Sequence, residues 1–230
     1  MVNPSQVSHE AKHRSLVEQI VTELRPVRRL WPVRVRLALW MVLEVVLVIF
    51  VVSHSHRTDL TGQSRNGWYL VEVGAYAAIG TIGAAFALLA TIPGRGPTRG
   101  QLFVLAVLTA TLGLLLLRQP LNVAVPVAGF ITAGLPCALG IVMFASLPLL
   151  ALLWAVKRGA PLAPGAAGAL AGAGGFLFSF ALMRVYCPID EGLHLLVWHF
   201  LPALLGVAVS AGLGFWLFRR RAPRRRANSG

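Results

Sequence analysis

Six stretches of this chain are long and apolar enough that a lipid bilayer is their natural solvent. They run over about 34–52, 70–92, 102–117, 135–156, 165–186 and 193–218. A bilayer core of about 30 Å takes roughly 17–25 apolar residues per helix. In lipid a helix also satisfies its backbone within one segment, which an open strand cannot do. The third stretch is the shortest and extends into Gln101 or Arg118, whose long side chains reach for the interface. Only 13% of residues are charged, about half the share of a soluble domain. The run 119–134 (QPLNVAVPVAGFITAG) is apolar but interrupted by Pro120 and Pro126, and it reads as a re-entrant or interfacial connection. No signal-peptide pattern precedes the first stretch, so all six are expected in the mature protein. The expected fold is all-α, a polytopic membrane protein built as a bundle of six transmembrane helices.

Orientation follows from where the basic residues fall. An even number of spans puts both termini, the second-to-third loop and the fourth-to-fifth loop on one side. These segments carry Lys12, Arg14, Arg25, Arg28, Arg29, Arg34 and Arg36, then Arg95 and Arg99, then Lys157 and Arg158, then six arginines between Arg219 and Arg226. Together they hold 17 of the 21 basic residues, and such an excess marks the cytoplasmic side. Both termini are therefore expected inside: 1–33 a cytoplasmic N-terminal segment, 34–218 the membrane domain, 219–230 a basic cytoplasmic tail. The net charge of +13 belongs to this pattern and to anionic headgroups. Neither end offers a nucleic-acid-binding motif, so no direct nucleic-acid partner is expected. The skew of nineteen arginines to two lysines suits a high-GC bacterial genome.

Within the N-terminal segment, KHRSLVEQIVTELRP reads as a short amphipathic helix. Leu16, Ile20 and Leu24 form an i, i+4 stripe, with Val17 and Val21 beside it, and Pro26 ends the helix. Two readings stand: a helix lying on the membrane, or one that enters the groove of a protein partner. Glu10, Glu18 and Glu23 count against a pure lipid surface. Trp31 in the following basic run is an interface anchor. In the fifth stretch, Gly168-xxx-Gly172 and Ala171-xxx-Gly175 have the small-residue spacing of close helix packing. Pro148 and Pro202 mark expected kinks. Glu44, near the middle of the first span, is a functional suspect because carboxylates in a membrane are costly. Glu72 lies close enough to Trp68 and Tyr69 to reach the outer interface. His54 and His56 read as an exposed loop pair.

The familiar catalytic signatures are missing: no G-x-S-x-G, H-E-x-x-H, C-x-x-C, Walker loop or dinucleotide fingerprint. No enzyme, cofactor or metal site is assigned. The two cysteines do hold a pattern. Cys137 lies 20 residues before Lys157, and Cys187 lies 22 after Gly165. At about 1.5 Å per residue, each is roughly 30–33 Å from the short loop that joins their helices. The spans so joined are antiparallel neighbours, so both thiols emerge at one depth, at the outer rim, within about 10 Å of each other. They are two small buried hydrophobes, or a redox or soft-metal pair facing an oxidising compartment. Pro136 and Pro188 flank them and are expected to free their backbones from regular helix. Beyond lie His194 and Trp198, at i, i+4 on one helix face, with His199 alongside.

RPVRRLWP before the first span, Gly134-Leu135-Pro136-Cys137 opening the fourth, and KRGAPLAPGAAGALAGAGG entering the fifth form an ordered series. Cys187-Pro188-Ile189-Asp190-Glu191 followed by HLLVWH completes it. The series, from about Leu16 to Phe218, resembles the NrsF-type six-span membrane anti-sigma factors, negative regulators of extracytoplasmic-function sigma factors. The resemblance implies a multi-pass protein of the bacterial inner membrane that takes part in stress response and holds such a sigma factor at its cytoplasmic N-terminal segment. On this chain the contact would be made by Leu16, Val17, Ile20, Val21, Leu24, Arg25, Val27, Arg28 and Arg29. Cys137 and Cys187 would be the sensing pair for an envelope, oxidative or metal signal, with His194, Trp198 and Glu44 as accessories. The alternative function is that of a small membrane transporter or channel.

Overall fold

The computed structural model describes residues 30–92, 94–119 and 126–218, together with 15, 17, 18, 21 and 22. Six helices are long and apolar enough to cross a membrane: α1 (Val33–His54), α2 (Gly67–Leu89), α3 (Arg99–Arg118), α4 (Val127–Gly159), α5 (Pro164–Tyr186) and α6 (Gly192–Phe218). No strand occurs among the described residues. The architecture is an all-α bundle of the kind a membrane protein needs.

The helix starts follow local chemistry. Asn66 caps α2, its Oδ1 accepting from the Trp68 and Tyr69 amides at 3.1 and 3.5 Å. Thr98 and Gln101 form a reciprocal capping box at the start of α3, and α3 ends in a tightened 3-10 turn, Leu116–Arg118. Residues 127–134, expected within a re-entrant connection, are instead the first turns of α4. Pro126 does not interrupt this helix; it precedes it, and its carbonyl accepts the first bond, from the Phe130 amide at 3.0 Å. A proline is tolerated at a helix start because the N–H it lacks would have no intrahelical partner there. Pro136 likewise lies inside α4, so Cys137 sits on regular helix, contrary to the expectation above. Only Cys187, just past the end of α5, has an extended backbone.

The hub is α5, with 83% of its apolar window buried, against 17–44% for the other five. Its small residues face three neighbours. A Cβ on Gly168 would collide with the Ser210 carbonyl and the backbone of Gly214 on α6. Gly174 lies against Ala84 on α2, and a Cβ on Gly175 would stand 3.2 Å from the Leu149 side chain on α4. The close approach also runs the other way, since a Cβ on Gly80 of α2 would stand 2.8 Å from the Phe178 amide nitrogen. The helix edges that face away from α5 carry exposed Val, Leu and Ile, such as Val42, Val46 and Ile49 on α1. In lipid this costs nothing.

The spans alternate in direction. At one end Arg36 of α1 donates to Thr91 after α2 (3.0 Å), and Thr91 lies against Gly159 at the end of α4. At the other end Arg57 after α1 meets Asp190 before α6. The loops predicted to be basic thus share one end of the bundle. A separate unit, Met1–Leu30, is helical at Ser15, Val17, Glu18, Val21 and Thr22, with Val17 and Val21 exposed. Leu16, Ile20, Leu24, Arg25, Val27, Arg28 and Arg29 lie outside the described residues, as does the tail from 219 onward.

Candidate functional site

The end of the bundle that holds the α1–α2 and α5–α6 loops carries two adjoining polar clusters in otherwise apolar surroundings. The first is built around the thiols. Cys137 Sγ and Cys187 Sγ are 3.6 Å apart, well inside the separation expected from their depth. Cys187 Sγ is also 3.6 Å from His194 Nε2. The ligand atoms of Cys137, Cys187, His194 and His199 all lie within 4.8 Å of one another, and all four residues are buried.

The histidines meet because α6 opens irregularly. Residues Leu195–Phe200 form a π-helical turn, placed just before Pro202. Proline cannot donate to the carbonyl four residues back and crowds it. A wider i→i+5 turn accommodates that, and such turns recur at functional sites. In an α-helix residues five apart point about 140° from each other; the wider turn brings His194 and His199 to the same side, with ring centroids 5.2 Å apart. The expected kink at Pro202 is thus a change of helical register upstream of it. Trp198, paired with His194 by α-helical spacing, belongs elsewhere: it packs on Phe130 and against Gly134. Phe130 and Phe180 stand edge-on to His194 and His199 and wall the cluster with hydrocarbon.

The second cluster is ionic and begins three residues after Cys187. Asp190 accepts from Arg57 through both oxygens (3.0 and 2.6 Å), from Arg184 at 2.6 Å and from Gln63 at 3.2 Å. Arg57 also donates to Asp59 and to the Pro188 carbonyl. Arg184 reaches down to Glu72 at 2.9 Å. Both guanidiniums are buried and stand over the Tyr69 ring at 5.7 and 5.4 Å. Hydrogen bonds from Arg57 hold the exposed Asp59 carboxyl at about 2, and those to Asp190 push the Arg57 guanidinium up. Burial alone would raise Asp190; its bonds to Arg57 and Arg184 outweigh that and bring it below the usual carboxylate range.

Several sequence expectations meet the structure here. Glu72 is buried and paired with Arg184. Glu44 is buried far along α1, and its Oε1 has no partner among the described residues. It joins neither cluster. His54 stacks on Phe50 at the surface, and His56 is exposed. Sequence reasoning missed the ionic cluster, although arginines in the α1–α2 loop and acids in the α5–α6 loop were a readable hint.

The family described as "Negative regulator of sigma F" (NrsF) matches residues 20–220 of the chain. That span takes in all six helices and both clusters. No curated protein and no solved structure matches it. The chain belongs to the NrsF family, and its partner by that description is a sigma factor.

Proposed function

We propose that this NrsF-family chain is an anti-sigma factor of the bacterial inner membrane, with both termini in the cytoplasm, and not an enzyme. Its N-terminal segment sequesters an extracytoplasmic-function sigma factor through the stripe Leu16, Val17, Ile20, Val21 and Leu24, steered by Arg25, Arg28 and Arg29 with Val27 between them. An envelope, oxidative or metal signal at Cys137 and Cys187 triggers release. The observation that carries this reading is the contact of two thiols, 3.6 Å apart and buried, in a chain of a sigma-regulator family. Basic residues grouped at the opposite end support the cytoplasmic placement of the N-terminus.

The thiols and the start of α1 lie at opposite ends of the bundle, so a signal carried from one to the other requires a bundle with two states. The arrangement supports one route. Cys187 leads directly into Pro188 and Asp190, and both hold Arg57. Arg57 follows α1, and α1 is joined in sequence to the N-terminal segment. A change in the state of the thiols re-sets residues 187–190, frees or tightens Arg57, and shifts α1 against Thr91 and Pro148, which its Arg36 and Trp40 grip. Glu44, on the same helix with an oxygen that has no partner among the described residues, is the accessory most able to favour one position of α1.

The test is capture from solubilised membranes, with mass spectrometry of the bound protein. The full chain is expected to retain a sigma factor, and a chain beginning at Val33 to retain none. Equal retention by both would place the contact outside the N-terminal segment.

A further inference from the structure

We infer that Cys137, Cys187, His194 and His199 form a four-ligand site for a zinc ion. The inference names what occupies the sensing pair proposed above, and in that sense rests on that reading. It starts from His199, which is fully buried; neither ring nitrogen has a hydrogen-bond partner of good geometry among the described residues, and the Cys187 thiol is the group close enough to interact with it. Buried polar groups are almost always satisfied. An imidazole set beside two thiols and a second imidazole, with no well-formed hydrogen bond of its own, offers a lone pair to a metal ion.

The distances agree with a tetrahedron. With metal–sulfur bonds of about 2.3 Å and metal–nitrogen bonds of about 2.0–2.1 Å, its edges are roughly 3.8 Å for S–S and roughly 3.6 Å for S–N. The corresponding separations are 3.6 Å for the two sulfurs and 3.6 Å for Cys187 to His194. No pair among the four atoms exceeds 4.8 Å, so the last ligand closes by about 1 Å. The π-helical turn that aligns the two histidines is the local feature that makes the set four rather than three.

Charge selects the ion. A tetrahedral set of two thiolates and two imidazoles suits zinc. On binding, each thiol gives its proton to solvent, and two thiolates neutralise a divalent ion. The occupied site is then neutral, as its hydrocarbon walls require. A monovalent copper ion would leave one negative charge buried. All four positions belong to the protein and no substrate position stays open, so the site is closed rather than catalytic. While the ion is held, both sulfurs are committed to it, and the disulfide and the metal complex are mutually exclusive states of the same pair.

The test uses the full chain, purified in detergent under reducing conditions with no sigma factor present, so its outcome is independent of the anti-sigma reading. Metal content by mass spectrometry is expected to show one zinc per chain. Cobalt added to the metal-free protein should give the visible bands of tetrahedral thiolate coordination. Losing even an outer partner of a ligand costs about 10–100-fold in affinity, so Cys137→Ser, Cys187→Ser and His199→Gln should each bind zinc at least that much more weakly. Gel filtration shows that each variant is folded. Trp198→Phe and the pair His54→Gln with His56→Gln should keep the ion. A parent chain that takes up neither zinc nor cobalt although both thiols react, or that prefers copper(I) to zinc, overturns the inference. So does a folded His199→Gln that binds zinc like the parent, or loss of the ion in the loop-histidine pair.

Discussion

Replacing Asp190 with alanine removes the one carboxylate shared by two buried guanidiniums. Removing one partner of a buried ion pair costs about 3–5 kcal/mol, because the other charge is left without compensation. Two features reduce that here. The Asp190 side chain is 33% exposed, and each arginine keeps a second carboxylate, Asp59 for Arg57 and Glu72 for Arg184. About 2–3 kcal/mol is therefore expected. For a chain of this size each kcal/mol lowers Tm by about 2–4 °C, so Asp190→Ala should melt roughly 4–12 °C below the parent. Asp59→Ala is the control. Its side chain is 51% exposed, and solvent screens exposed pairs so that they contribute little. Thermal unfolding followed by circular dichroism, all variants in one detergent, reads the difference. If Asp190→Ala melts no lower than Asp59→Ala, the cluster is ornamental and the proposed route through Arg57 has no energetic basis.

Three further outcomes are expected. Gly168→Leu should strongly reduce folded protein in membranes, because its side chain would displace α6 at the cost of overpacking, about 1–3 kcal/mol or more; Gly212→Ala, with open space at its Cβ, should be neutral. The Asp59 carboxyl is held at about 2 and that of Asp190 below the ordinary carboxylate value of about 3.9, so their contribution is present above about pH 4 and is lost as pH falls through their lowered values; melting profiles against pH should show that acid limb, and Arg57→Gln should flatten it. Leu16→Asp with Ile20→Asp should abolish capture of the sigma factor, since two buried aliphatics at about 1.5–3 kcal/mol each correspond to roughly 10²–10⁴ in affinity; unchanged retention by the double variant would leave the stripe as a lipid anchor.

The parts legible in sequence were those governed by one-dimensional rules. Apolar length gave the six spans, and the glycines of 165–175 marked a closely packed helix, because close packing needs small residues wherever a neighbour sits; that this helix is the hub came from the structure. Equal chain distances from one short loop put Cys137 and Cys187 at one depth. What stayed hidden depended on helical register and on pairing across distant segments. The π-helical turn moves His199 beside His194 and Trp198 away, and no periodicity rule anticipates a local change of pitch, although Pro202 hints at one. Arg57 and Asp190 are 133 residues apart, and nothing in either loop alone names its partner. Pro126 was misleading because a proline reads the same before a helix as within one.

The most direct measurement is transcription of the sigma factor's targets in cells carrying Cys137→Ser, Cys187→Ser or both, with and without an oxidant or a soft metal. The account predicts that the parent represses and responds. Each variant should be locked near one level, high or low, with the response lost. If all three repress and respond as the parent does, the thiols are packing residues and the signal enters elsewhere.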